Sequence, residues 1–163
     1  MSPTSPTSLP SPSTSASPTS VAYPTDLPAE ALANTPEGAV AFVRYFLKAM
    51  NRGYFMPAPG ALSPLSTPAC KSCAAYEAEF ADLVSKHQHL DREPFVFTEV
   101  VVVPDTGPGA ALSVDAVTQQ QAVKIVDSHG SVQRSWTAKI GVFVLDLVRE
   151  NDSWKVNEIQ VRR

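Results

Sequence analysis

A change of hydrophobic period divides this chain. Up to about Phe80 apolar residues recur every three to four positions, and beyond Phe95 they cluster in β-branched and aromatic runs. The stretch Leu65–Phe80, which holds both cysteines and a helix start, is the hinge between the two regimes. Helices followed by strands in sequence restrict the fold to the α+β class, in which amphipathic helices cover one face of an antiparallel sheet. At 163 residues and 44% hydrophobic composition there is enough chain for one such domain and not for two separate cores.

The N-terminus is of another kind. From Ser2 to Ser20 every residue is Ser, Thr or Pro except Leu9 and Ala16, and none is charged. Such a segment buries too little apolar surface to offset its chain entropy, and its prolines hold it extended. Residues 1–29 are therefore expected to be a disordered stalk reaching on the order of 60 Å, open to O-glycosylation, with an α+β domain over residues 30–163. An ordinary cytosolic tail is the alternative. A net charge of −3 offers no basic field for nucleic acid, and no apolar run approaches the roughly 20 residues of a membrane-spanning helix. Met1 is followed by no signal-peptide pattern, so either the protein is cytosolic or a leader has already been removed.

Thr35 is a good N-cap, Pro36 suits the first helical position, and Val40, Val43, Phe46, Leu47 and Met50 form one stripe with Arg44 and Lys48 toward water. Asn51-Arg-Gly53 is expected to end this helix. A Pro-rich loop leads to a second helix expected from Ser66 or Thr67 to about Lys86, with Cys73, Tyr76, Phe80 and Leu83 or Val84 on its apolar face. Strands are predicted over Phe95–Val103, Ala111–Val126, Val132–Leu147 and Trp154–Val161. Asp127-Ser-His-Gly130 makes a hairpin turn, and phase changes at Gln119–Gln121 and Asn157 call for bulges or bends. The expected architecture is two N-terminal helices packed on a curved four-stranded antiparallel sheet, a cone with a pocket between sheet and helix.

Thr35–Tyr45, Asn51, the Leu65-Ser-Thr-Pro-Ala-Cys-Lys-Ser-Cys73 motif and the closing Trp154-Lys-Val156 resemble the domain of unknown function 6318 family of bacterial envelope lipoproteins. The resemblance covers about residues 30–163, and its specific part is the Cys-x-x-Cys with the preceding Leu-Ser and Pro. It implies an NTF2-like cone, a lipidated cysteine upstream as the membrane attachment, and an extracytoplasmic location, and it implies no activity. His87-Gln-His-Leu90 replaces the Gly-rich link that members often carry.

Cys70 and Cys73, three apart at a helix start, have Cα atoms close enough for a disulfide, and a structural disulfide is preferred to a redox couple because no strand precedes the motif. His87, His89, Asp91 and Glu93 would share a face if extended, but a solvated cluster is the simpler reading, and no metal or cofactor is expected. Asp115 and Asp146 are the acids within strands that could serve acid–base chemistry. Asp115 is expected to meet water, whereas the direction of Asp146 is ambiguous. Asn151-Asp-Ser153 reads as turn chemistry rather than as a glycosylation site. Phe46, Met50, Tyr76, Phe80 and Trp136 are the expected pocket residues. The function they suggest is a non-catalytic module, monomeric or dimeric, that binds a small apolar ligand or an envelope protein. The alternative is an enzyme, either an acid–base catalyst of the cone type or a thiol–disulfide exchanger using Cys70 and Cys73.

Overall fold

The computed structural model describes residues 22–103 and 110–163, so residues 1–21 of the stalk expected over residues 1–29 lie outside the described residues. The chain enters along Tyr23–Leu27, makes a 3-10 turn at Ala29–Leu32, and starts α1 (Pro36–Phe55) with the Thr35 hydroxyl accepting from Gly38 N at 3.0 Å. Tyr23 and Leu27 pack against the core, and the Tyr23 hydroxyl donates to the Trp154 carbonyl at 2.8 Å. The packed unit therefore begins several residues before position 30.

The first helix does not stop at Gly53. It continues to Phe55 because Gly53 is buried under the Phe80 ring, and a Cβ there would lie 2.5 Å from that ring. Glycine serves here as the close-approach point of two helices rather than as a cap. The second helix, α2 (Lys71–Ser85), starts later than Ser66 or Thr67. Those residues are drawn off by the sheet: Ser66 bridges Val156, Thr67 N donates to the Val156 carbonyl at 2.9 Å, and the Thr67 hydroxyl bonds Asn157. Cys70 becomes the cap instead, its sulfur accepting from Cys73 N at 3.2 Å. In the loop between the helices, the Glu77 carboxylate collects the backbone N–H groups of Gly60, Leu62 and Ser63.

Seven strands follow among the described residues: β1 (Gln88–Leu90), β2 (Phe95–Val103), β3 (Leu112–Gln120), β4 (Val123–Asp127), β5 (Val132–Trp136), β6 (Lys139–Glu150) and β7 (Ser153–Arg162). The expected four-stranded antiparallel sheet is present in the order β2-β3-β6-β7. Beyond it, the two long strands of the central hairpin each break, at Gln121–Ala122 and at Thr137–Ala138, and their distal halves form a smaller sheet in the order β1-β4-β5. The bend at Gln121 matches the change of phase in the sequence. A register shift between Asp146 and Leu147 leaves Asn157 as the extra residue on β7. Gly130 takes φ 79° in the hairpin turn, where Asp127 Oδ1 accepts from the N–H groups of His129 and Ser131.

Both helices lie on one face of this curved surface, α1 against β2 and β3, α2 reaching from β7 to β1. The core between them holds Phe42, Phe46, Met50, Phe80, Val114 and Leu145, all completely buried. Burial of such side chains, at about 25 cal/mol per Å² of apolar surface, is the main stabilising term. The result is a cone-like α+β domain. No helix of the described residues is long and apolar enough to cross a membrane.

Candidate functional site

The core-facing positions of β6 run Lys139, Gly141, Phe143, Leu145 and Leu147, and the layer at Gly141 carries no side chain. A Cβ at Gly141 would stand 3.0 Å from the Arg162 carbonyl, so glycine lets β7 close in while leaving the layer unfilled. A cavity of about 460 Å³ opens there, floored by Phe95, Phe143 and Thr118. Its rim carries Ile140 and Val161, which are 76% and 53% exposed. The Thr118 hydroxyl is donated to the Ala116 carbonyl at 2.9 Å, and Lys139 and Arg163 stand at the mouth. Among the described residues no Asp, Glu, His or Cys side chain lines this opening.

A second cavity of about 300 Å³ lies between α2 and the small sheet, lined by Glu79, Leu83, Leu90, Arg134 and Trp136 among others. Behind it sits an aromatic cluster around Tyr54, whose ring meets Phe80, Trp136 and Tyr76 edge-on at 5.0, 5.2 and 6.4 Å. The Tyr54 hydroxyl donates to Glu79, and burial, reinforced by that carboxylate, holds it protonated far above the ordinary tyrosine range. Burial raises Tyr76 in the same direction.

Of the expected pocket residues, Phe46, Met50 and Phe80 are wholly buried in the core, Tyr76 is half-buried beside Tyr54, and Trp136 lines the second cavity. The sulfur atoms of Cys70 and Cys73 lie at bonding distance, with Cα atoms 5.3 Å apart, and each residue is 1% exposed. Asp146 points to the outer face of the large sheet, away from the cone, where the Ser113 hydroxyl donates to it. Asp115 shares that face and pairs with Arg162 at 2.5 Å, while its other oxygen, Oδ1, is buried without a partner among the described residues. Asp91 is occupied by Lys124 N at 2.9 Å, and His87 is exposed at φ 53°. Among the described residues no three His, Cys, Asp or Glu side chains converge as a metal site would require.

Phe95, Phe143 and Gly141, which shape the open end, are the residues that sequence reasoning missed. The signal was present: glycine inside an otherwise apolar strand marks a close backbone approach or an unfilled layer.

The fold and its opening define the class, a cone-like α+β domain with a ligand-sized mouth. Within that class, the model of a family of unknown function, DUF6318, matches residues 11–160, and the chain belongs to that family. Its match reaches back into the Ser/Thr/Pro segment. Among solved structures, the intermembrane space region of chloroplast protein ARC6 is similar with a TM-score of 0.59 at 12% identity, over 80% of this chain and 98% of that one. Aln2 from a Streptomyces species is similar with a TM-score of 0.47 at 15% identity, over 79% and 92% of the two chains. The likeness to the ARC6 region speaks to the fold alone. No curated protein matches the sequence.

Proposed function

We propose that this domain is a non-catalytic binding module, held outside the cytoplasm on its Ser/Thr/Pro segment, that takes a small apolar ligand at the open end of the cone. The observation that carries the reading is the cavity at Gly141: an aromatic floor of Phe95 and Phe143, an exposed apolar rim of Ile140 and Val161, and no acidic or imidazole side chain among the described residues that line it. Concave apolar sites with a few polar groups at the edge suit binding, whereas acid–base catalysis needs a titratable group within hydrogen-bond reach of the reacting atom. The thiol-exchange alternative needs an accessible sulfur, and Cys70 and Cys73 are both buried.

The test is fluorescence titration with 1-anilino-8-naphthalenesulfonate. Saturable binding to the native chain, lost in an Ile140→Asp, Val161→Asp variant that keeps its melting temperature, supports the reading. Equal binding by both proteins, or none by either, removes it.

A further inference from the structure

We propose that the exposed side of α1 is a second binding surface for a flexible polyol-phosphate polymer of the poly(glycerol phosphate) type, independent of the ligand site at the mouth of the cone. Arg44, Lys48 and Arg52 follow one another at four-residue spacing, which places them in one row with about 6 Å between successive positions along the helix axis. All three are exposed, and none forms an ion pair with a described residue. In a chain of net charge −3 this row is a local reversal of sign.

The row does not stand on a flat face. On one side a groove of about 440 Å³ runs between it and the segment Asp26–Glu30, floored by Ala41, Tyr45 and Ala49. Of the two acids on that wall, Asp26 is engaged by the Tyr45 hydroxyl at 2.6 Å, and Glu30 faces the groove. On the other side Arg44 and Lys48 overlook a depression of about 200 Å³ with Leu47, Phe97 and Val100 in its floor and no acid among the described residues of its lining.

Cations set between two depressions suit a chain that can lie along them, whereas a planar bilayer would meet only their tips. Guanidinium forks favour phosphate oxygens, which two of the three positions supply with bidentate donors. The described chain passes along this groove over Asp26–Glu30.

The experiment uses the full chain titrated calorimetrically with delipidated poly(glycerol phosphate). The slope per neutralised phosphate known for nucleic acids, applied to three contacts, predicts a loss on the order of 20- to 40-fold in affinity between about 50 and 200 mM salt. An Arg44→Gln, Lys48→Gln, Arg52→Gln variant should lose both binding and salt dependence while keeping its melting temperature. A Lys86→Gln, Arg92→Gln, Lys124→Gln variant, altered elsewhere, should bind like the native chain. No binding by the native chain, or equal losses in the two variants, overturns the proposal. Binding to vesicles of pure phosphatidylglycerol without binding to the polymer also overturns it, in favour of a membrane contact. The dye titration at the cone mouth is read separately, so either site can fail alone.

Discussion

The side-chain amide of Asn51 and the backbone of Phe95 exchange two hydrogen bonds, Asn51 Nδ2 donating to the Phe95 carbonyl at 2.7 Å and Phe95 N donating to Asn51 Oδ1 at 3.1 Å. Asn51 thus acts as one more residue of the sheet, supplied by a helix, and ties α1 to the first residue of β2. Both residues are buried. Asn51→Ala leaves a buried N–H and a buried carbonyl unpaired, at a cost of about 2–4 kcal/mol. Urea denaturation should show a lower midpoint with an unchanged slope. An unchanged midpoint would mean that water replaces the amide. Because Phe95 floors the open cavity, the same variant should also weaken dye binding there.

Gly53 and Phe80 give a prediction of opposite sign to the usual rule. Alanine normally stabilises a helix interior over glycine by about 0.5–1 kcal/mol. Here the added Cβ would meet the buried Phe80 ring at 2.5 Å, and overpacking of this kind costs about 1–3 kcal/mol. Gly53→Ala should therefore lower the melting temperature, and combining it with Phe80→Leu should recover part of the loss. A stabilised Gly53→Ala protein would show that the helices can separate without penalty.

What could be read from the sequence was what local chemistry decides. The Thr35 cap, the apolar stripe of α1, the Gly130 turn, the break at Gln121 and the extra residue at Asn157 each follow from the preferences of a few adjacent residues. What could not be read depends on partners distant in the chain. Gly53 looks like a helix stop until Phe80 is known to lie on it, and Thr67 looks like a cap until Val156 takes its N–H. Phe42 is wholly buried although it sits beside the stripe identified from spacing, because a helix wrapped by a curved sheet buries a wider face than one laid on a flat one. The candidate site was less legible still. The large aromatic side chains near the middle of the helices fill the core, and the opening lies where one strand residue has no side chain. Strand β1 at Gln88–Leu90 has only three residues, too few for alternation to register.

All four tyrosines ionise later than a free tyrosine. Burial, opposed only in part by Arg149, pushes Tyr23 up to about 12, and burial together with the Asp26 hydrogen bond pushes Tyr45 up to about 12. Tyr54 and Tyr76 are displaced in the same direction by burial and Glu79. A folded-state pKa above the unfolded value of 10.0 leaves stability untouched below pH 10 and erodes it as the pH rises from 10 to about 12. Spectrophotometric titration should therefore show tyrosinate appearing late and together with loss of structure. In urea it should appear near the ordinary value. Ionisation near pH 10 with the fold intact would mean that these hydroxyls meet water freely.

Reduction of the Cys70–Cys73 bridge separates a staple from a working thiol pair. Each cysteine is 1% exposed, Cys70 caps α2 through its sulfur, and the Thr67 hydroxyl before the pair and the Ser72 hydroxyl between the two cysteines bond β7 residues. A thiolate must reach a sulfur to exchange with it, so native protein should resist reduction until it opens locally. Thiol alkylation across a glutathione series should place the reduction potential below about −300 mV, with reduction accelerated by urea. Closing so short a loop stabilises by only about 2 kcal/mol on a chain-entropy argument, so a Cys70→Ala, Cys73→Ala variant should still fold, with a modestly lower midpoint. A potential near −200 mV with rapid reduction of the folded chain would put thiol exchange ahead of ligand binding as the function of this domain.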